Sequence, residues 1–536
     1  MSNCSQRYTY IIVGAGSAGC LLANRLSSQP ENRVLLIEAG SWSNSFWLKL
    51  PVGYYKTMND PSVSRHFATE PSKGSGGRAI NWPRGRVIGG SSSINGLIFI
   101  RGQHKNFDDW AELGNDGWSY RDVLPYFRKL ENFSGGNSQF HGQHGEFQVS
   151  KLRNHHPDCE AWLSAAQQYG LTLNQDFNAE TTEGVGEYHL SIGSRWRTSS
   201  ASAFLKPVES RKNLKIITNT LVTRIIFENK KAVGVEIISG GHRQIIHADA
   251  EVILSAGAIQ SPQILQLSGI GPAKLLKKYG VKVISDRPGV GQNLQDHYQM
   301  RTIVKMRSKT SLNNQIRNPI SLIQMGLDWA FRGRGALTVG AGQVGGAMRT
   351  RFAPTNAPDL QLFVMPLSVD KPGEPLHHYS GFTSAIWQCH PKSRGSIEIN
   401  SPDPTANPKI SPNYLDDPLD QKTMVEGIKI LRKIYRQPQF CDLWDTEIVP
   451  GDYVKKDSEI LQAIRQGGGT VYHPVGTCKM GIDSAAVVAP DLRVHGVTGL
   501  RVADASIMPL ITSANTNAPT LMIAEKAADI ILESVR

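Results

Sequence analysis

The sequence lacks any apolar run near the ~18 residues that a membrane-crossing helix needs. It also lacks internal repeats and low-complexity tracts, which removes solenoids and disordered arrays from consideration. Cysteine is scarce, 6 in 536 residues. Cys4, Cys20, Cys159, Cys389, Cys441 and Cys478 show neither a CxxC nor a zinc-ligand spacing. A disulfide framework and a zinc module are therefore excluded, and reduced, mostly buried thiols in a cytoplasmic chain are expected. Charged residues are 19% against 40% hydrophobic, a balance that fits neither intrinsic disorder nor a bundle of membrane spans. Residues 10–23 imitate a secretion signal, but Gly14, Gly16 and Gly19 break the run and no convincing cleavage site follows.

Acidic residues are outnumbered, 46 against 58 Lys and Arg, for a net charge of +12. The surplus concentrates in residues 297–357, where nine Lys and Arg face Asp328 alone. No helix-turn-helix, zinc finger or aromatic RNA motif accompanies it, so nucleic acid is not expected as a partner. Its plain reading is a solvated basic face.

What is present starts with punctuation. Residues 8–13 read as a strand, 14–19 as a glycine turn, 20–26 as a helix and 33–37 as a second strand, a βαβ unit with a parallel sheet. Gly14-Ala15-Gly16-Ser17-Ala18-Gly19 is a GxGxxG directly after an apolar strand. Its first glycine permits the tight turn, the second lets backbone approach a pyrophosphate, and the third lets helix pack on strand. The helix N-terminus then faces the phosphates. Glu38 ends the second strand, where a carboxylate accepts hydrogen bonds from a ribose diol. The turn alone does not separate NAD from FAD. Further on, 251–255 reads as a buried strand running into a helix, 359–365, 382–390 and 396–400 read as strands of an antiparallel sheet, and 500–503 with 519–534 read as a closing strand and helix. Sheet chemistry of one kind at both ends predicts a discontinuous nucleotide-binding domain (1–150, 200–300 and 465–536) with a second domain inserted (151–199 and 301–464).

Two long segments carry a resemblance. One is Gly85-Arg86-Val87-Ile88-Gly89-Gly90-Ser91-Ser92-Ser93-Ile94-Asn95-Gly96, and the other is Gly257-Ala258-Ile259-Gln260-Ser261-Pro262-Gln263-Ile264-Leu265. With Tyr472-His473-Pro474-Val475-Gly476-Thr477, the run 501–506 and Asn515-Thr516-Asn517-Ala518-Pro519-Thr520, the chain resembles the glucose–methanol–choline (GMC) family of flavoprotein oxidoreductases. The resemblance implies an α/β fold, α+β overall. A Rossmann-like FAD-binding domain would carry an inserted antiparallel-sheet substrate domain. It implies FAD rather than NAD, with Val87, Gly90, Asn95, Val222, Asp504 and Ala505 joining Gly14, Gly16, Ser17, Ala18, Gly19 and Glu38 at the cofactor. Choline oxidases of the family tether FAD through a histidine where this chain has Ile94, so a non-covalent flavin is expected.

The implied chemistry is oxidation of a primary alcohol to the aldehyde, electrons passing to a quinone or other non-oxygen acceptor. Removing a hydroxyl proton needs a positioned base, and histidine titrates near working pH. The resemblance places that base at His473 and its amide partner at Asn517. The alternatives are an oxygen-using oxidase of the same family and a redox-silent FAD-containing lyase. The alcohol itself and the oligomeric state stay open. Phe363, Met365 and Trp387 are candidate pocket walls, equally readable as sheet core. His141 and His144 imitate a metal pair without a supporting carboxylate, so a surface loop and no metal are expected. His297 is expected to order a turn. Residues 319–332 read as a helix so apolar that burial is its ordinary explanation. The other reading lays its apolar face on a membrane while neighbouring Arg and Lys meet anionic headgroups, giving peripheral contact with the cytoplasmic membrane.

Overall fold

The structure is a computed structural model and describes residues 7–371 and 373–534; Cys4 lies outside them. The chain opens with β1 (Arg7–Val13), α1 (Ser17–Leu26) and β2 (Val34–Ile37). Ile11, Ile12 and Val13 of β1 and all four residues of β2 are buried. Continuous apolar runs of this kind suit parallel strands covered on both faces. The sheet grows through β3 (Leu214–Ile217), β4 (Thr220–Glu228), β5 (Lys231–Ser239) and β6 (His242–Leu254) in the order β3-β2-β1-β6-β5-β4. β1, β2, β3 and the C-terminal half of β6 run parallel, whereas β4, β5 and the first half of β6 form an antiparallel meander. β6 is thus 13 residues long and serves both halves, against the 251–255 expected from sequence.

α2 (Gly257–Leu267) leads away from the end of β6. The second sheet holds β7 (Tyr298–Met306), β8 (Val344–Met348), β9 (Leu360–Met365), β10 (Gly381–Gln388), β11 (Trp444–Val449) and β12 (Gly469–Thr470) in the order β8-β9-β10-β7-β11, with β12 also on β7. Every pairing in it is antiparallel. Its first strand starts at Tyr298 and its last at Gly469, so the sheet reaches a few residues past both ends of 301–464. Between β7 and β8 lies α3 (Pro319–Arg332). The helix is not buried, as its composition led one to expect: of its apolar residues only Met325 is inside. After β10 comes α4 (Pro418–Tyr435), which packs on one face of the sheet. Ile386 joins the core cluster with α4, while its neighbour Trp387 points to the other face and a cavity, the alternation a strand imposes.

The chain returns to the first sheet through β13 (Leu500–Val502), parallel to the end of β6, and finishes in α5 (Asn517–Glu533) against α1. Arg25 of α1 and the fully buried Glu525 of α5 lock the two helices at 2.9 Å. Both chain ends therefore build one layer, and the segments that follow β1, β2, β6 and β13 converge at one edge of the sheet.

Candidate active site

A deep cavity runs from the Gly14 turn to His473, between the first sheet and the face of the second that carries Phe363 and Trp387. At the turn, Gly14 has φ +97° and its N–H donates to Ile37 O at 2.8 Å. A Cβ on Gly19 would sit 1.9 Å from Gly14 O, so that residue is forced to be glycine by packing. Gly16 differs. A Cβ there would meet no protein atom closer than 3.9 Å and would enter the cavity. Gly90 closes against it, its Cβ position 2.7 Å from Gly16 Cα. The first turn of α1 has no side-chain cap and no acidic residue, which leaves its N–H groups to an anion. Glu38 lies at the end of β2 with Oε2 accepting from Ala15 N at 2.9 Å and Oε1 from Gly40 N at 2.8 Å. Burial raises its pKa, opposed by these same N–H groups. Ser17, Ala18, Val222, Asn95 and Ala505 also line the cavity.

Two expected cofactor residues do not reach it. Gly19 packs behind the turn, and Val87 packs with Leu48, Val63 and Ile94 while its carbonyl accepts from Gly90 N. Val87 thus shapes the Gly89–Gly90 turn from behind. Asp504 lines the cavity but spends its carboxylate on the scaffold. Oδ2 accepts from Gly257 N (2.8 Å) and Ser261 Oγ (2.6 Å), and Oδ1 from Ser506 N. Asn95 Oδ1 accepts from Arg197 Nη1 at 2.7 Å. That arginine is buried with only oxygens of Pro51, Ser92 and Asn95 around it, and burial pushes its pKa down to about 9.

At the far end, His473 is buried and held on all sides. Tyr472 before it has φ +66°, a strained left-handed kink for a non-glycine residue. The His473 backbone N–H donates to Asp296 Oδ1 at 2.8 Å. Asp296 also accepts from Thr470 Oγ1 and the Tyr414 hydroxyl, and burial pushes its pKa up to about 6. His473 Nδ1 lies 3.0 Å from His297 Nδ1, and His297 Nε2 lies 2.9 Å from Cys389 O. A carbonyl only accepts, so His297 Nε2 carries the hydrogen and its Nδ1 must accept. His473 Nδ1 is then the donor, and its Nε2 carries the lone pair. Asn515 Nδ2 donates to that Nε2 at 3.1 Å. Burial, then the neighbouring His297 and Arg84, hold the His473 pKa well below the usual histidine range; burial takes His297 to about 3.

The amide beside His473 is therefore Asn515, two positions before the expected Asn517. Asn517 opens α5, lines the same cavity, and accepts from Ser17 Oγ at 2.8 Å. His297 does more than order a turn, since it fixes the tautomer of His473. Both were present in the sequence, in Asn-Thr-Asn and Gln-Asp-His, but only the fold tells which side chain meets the imidazole. Of the three candidate pocket walls, all packed in one core cluster, Phe363 and Trp387 also line the cavity and Met365 does not. His141 is not in a surface loop: Nδ1 bonds Glu131 Oε2 at 3.0 Å and Nε2 bonds Asp176 Oδ2 at 2.7 Å, with His189 close by. Contacts that short are direct hydrogen bonds, and Arg101 completes the cluster on Glu131 at 2.6 Å.

The residues fit FAD. Backbone opens at Gly16 where a pyrophosphate would lie, an uncapped helix end faces it, and a buried carboxylate waits at the strand end. Towards His473, Gln299 and Asn515 each bury a side-chain oxygen without a partner at the cavity, ready for N–H or O–H groups of a ligand.

Family models for the GMC oxidoreductase N-terminal and C-terminal regions match residues 8–299 and 391–524. The chain belongs to the GMC oxidoreductase family. It is 42% identical to an alcohol dehydrogenase [acceptor] of Pseudomonas putida, over 98% of this chain and 96% of that protein. It is 40% identical to human mitochondrial choline dehydrogenase, over 99% and 90%. Among solved structures, pyridoxine 4-oxidase from Mesorbium loti superposes with a TM-score of 0.88 at 30% identity, covering 97% of this chain and 98% of that one. This GMC protein is accordingly an FAD-dependent oxidoreductase acting on alcohol-type donors.

Proposed function

We propose that the chain oxidises a neutral primary alcohol to its aldehyde and passes the electrons to an acceptor other than oxygen, a quinone held in the membrane, which this chain meets peripherally at the cytoplasmic face. The observation that carries the reading is the chain Cys389 O–His297–His473–Asn515, which ends in a lone pair at the cavity. On binding, the alcohol hydroxyl takes the place of Asn515 Nδ2 at His473 Nε2, which accepts its proton, and the released Asn515 N–H donates to the alcohol oxygen as negative charge grows there. FAD held there would supply the acceptor for the hydride of the carbinol carbon. Asn517, carried from the family resemblance as the partner of His473, is here assigned to holding the α5 end against Ser17 at the cofactor. Gly14, Gly16, Ser17, Ala18, Glu38, Gly90, Asn95, Val222, Asp504 and Ala505 bind the cofactor without a covalent link. Ile94, at the cavity wall, offers no nucleophile.

Charge favours an alcohol over choline. On the substrate side of the cavity stand Arg84 and Arg301, and among the described residues the only carboxylates lining it, Glu38 and Asp504, are at the cofactor end. A quaternary ammonium would find cations and no counter-charge, which favours an uncharged donor. The test is anaerobic titration with a panel of primary alcohols and choline while flavin absorbance is followed. Bleaching by an alcohol but not by choline is expected; bleaching by choline alone overturns the substrate assignment, and silence throughout favours the redox-silent lyase. Oxygen uptake matching dye reduction would replace the quinone reading with an oxidase.

A further inference from the structure

α3 is an amphipathic helix turned inside out. Asn318 Oδ1 caps it, accepting from Ile320 N at 2.9 Å, and Gly333 at φ +60° ends it, so its limits are well defined. Ile320 (75% exposed), Ile323 (65%), Leu327 (52%) and Phe331 (80%) form one stripe at helical spacing, opposite the buried Met325. Trp329 pins the inner side, donating from Nε1 to Arg195 O at 3.0 Å and meeting Trp196 and Phe46 edge-on at 4.8 and 5.8 Å. Phe46, Trp47 and Trp196 are themselves partly exposed, so the stripe continues onto the short helix Phe46–Lys49. A large exposed apolar patch on a folded chain marks a binding surface.

The charge around it identifies the occupant. The positive surplus of 297–357 is partly dispersed by the fold: Lys305 pairs with Asp445, Arg349 with Glu183 and Arg351 with Glu426, while Arg301 faces the cavity. Beside the patch remain Arg317, Arg332 and Arg334, joined by Arg195, Lys49 and Lys56, the last 4.0 Å over the Trp47 ring. Asp328, the one acid on the helix, pairs with Arg332 at 3.0 Å and lies 3.9 Å from Arg334, a single negative charge shared between the two arginines. A symmetric second copy would bring these cations face to face. Aliphatic residues at the centre with Trp, Lys and Arg around them instead match the headgroup boundary of an anionic bilayer. None of the described helices is long and apolar enough to cross a membrane, so contact is with its surface.

We infer that α3 and Phe46–Lys49 form a docking face for an anionic phospholipid bilayer, with Ile320, Ile323, Leu327 and Phe331 entering the headgroup–acyl boundary. The same face carries a wall of the cavity. The turn Pro51–Gly53 follows the short helix and packs on the turn Ala336–Thr338 beyond α3, and Tyr54 Oη donates to Gly340 O at 3.3 Å. Tyr54, Met58 and Ala341 all line the cavity. Docking sets this wall against the bilayer, where lipid-dissolved molecules partition. This last clause rests on the alcohol–quinone reading; the docking itself does not.

The test is flotation of the FAD-loaded protein with vesicles of phosphatidylglycerol and phosphatidylcholine in equal parts, at low and high salt, with phosphatidylcholine vesicles alone as the second arm. The wild type should float with the anionic vesicles and less at high salt. The double variant Ile323→Glu, Phe331→Glu should partition at least about tenfold less while keeping its flavin spectrum and its rate with a soluble alcohol and dye. A wild type that stays unbound overturns the inference, as does equal binding by the double variant. Elution as a dimer that the double variant splits would reassign the face to self-association. If no alcohol reduces the flavin yet vesicles still capture the chain, the functional reading fails and the docking face stands.

Discussion

His473 holds its proton on the nitrogen away from the cavity because His297 leaves it no other choice. Replacing His473 with Ala should keep the flavin and slow its anaerobic reduction by roughly 10²–10⁴, the usual contribution of a positioned base; unchanged stopped-flow reduction removes it from the mechanism. His297 acts one step back. His297→Ala frees the ring of His473 to flip, whereas His297→Gln can still donate to Cys389 O and accept from His473. Reduction should therefore fall about 10-fold or more in the alanine variant and recover part of that loss in the glutamine variant; identical rates in the two would deny the tautomer argument. Since the His473 pKa lies well below its ordinary value, the base stays neutral as pH drops through 6.5. The reduction rate should run flat through that region and fall only at more acid pH, and an inflection near 6.5 would show that the imidazole is solvated. None of this was legible in the sequence beyond His473 itself, because Asn515, His297 and Asp296 are brought to it from 42, 176 and 177 positions away.

The elements differ in how openly the sequence declares them. β1, α1 and β2 were readable because apolar runs and a glycine turn report one local geometry with one purpose. The β4–β6 meander was not, since its alternation is interrupted by register shifts at Gly234 and near Ile237 and its outer residues are polar and mixed. α3 misled for a physical reason: composition reports that a helix wants cover, not whether protein or another phase supplies it. Within the glycine turn two glycines can be told apart by experiment. Gly19→Ala forces a Cβ onto Gly14 O and should lower the melting temperature or abolish soluble expression. Gly16→Ala has room in the protein but projects into the cofactor space, so it should fold normally and lose FAD on dialysis. The opposite pattern, an unfolded Gly16→Ala with a normal Gly19→Ala, would place the pyrophosphate elsewhere.

At the scale of the molecule, burial of neutral histidines couples stability to acidity. His297, His189 and His390 have pKa values lowered to about 3, about 4 and about 4 by burial, against the ordinary 6.5 they regain on unfolding. The unfolded chain therefore binds more protons below pH 6.5, and stability must fall as pH falls from there towards 4. Three such groups give a slope of up to roughly 4 kcal/mol per pH unit, offset in part by Asp296, whose pKa is raised in the fold to about 6. A melting temperature that drops between pH 7 and pH 5 is expected, and one that rises would reverse the sign assigned to these groups. Denaturation in acid should also release all the flavin to the supernatant; yellow colour in the precipitate would reveal a covalent link.

The pairing of Leu254 with Val502 spans 248 positions of chain. On a ribosome adding roughly 5–20 residues per second, the end of β6 waits about 12–50 s for its last parallel neighbour. The glycine turn meanwhile is complete, but His473 comes only near the end of that interval and Asp504, Asn515 and Asn517 after it. During that interval the nascent chain displays an open strand edge and half a flavin cradle. Holding that edge apart from other chains until β13 arrives is a demand that forming the first βαβ unit does not meet.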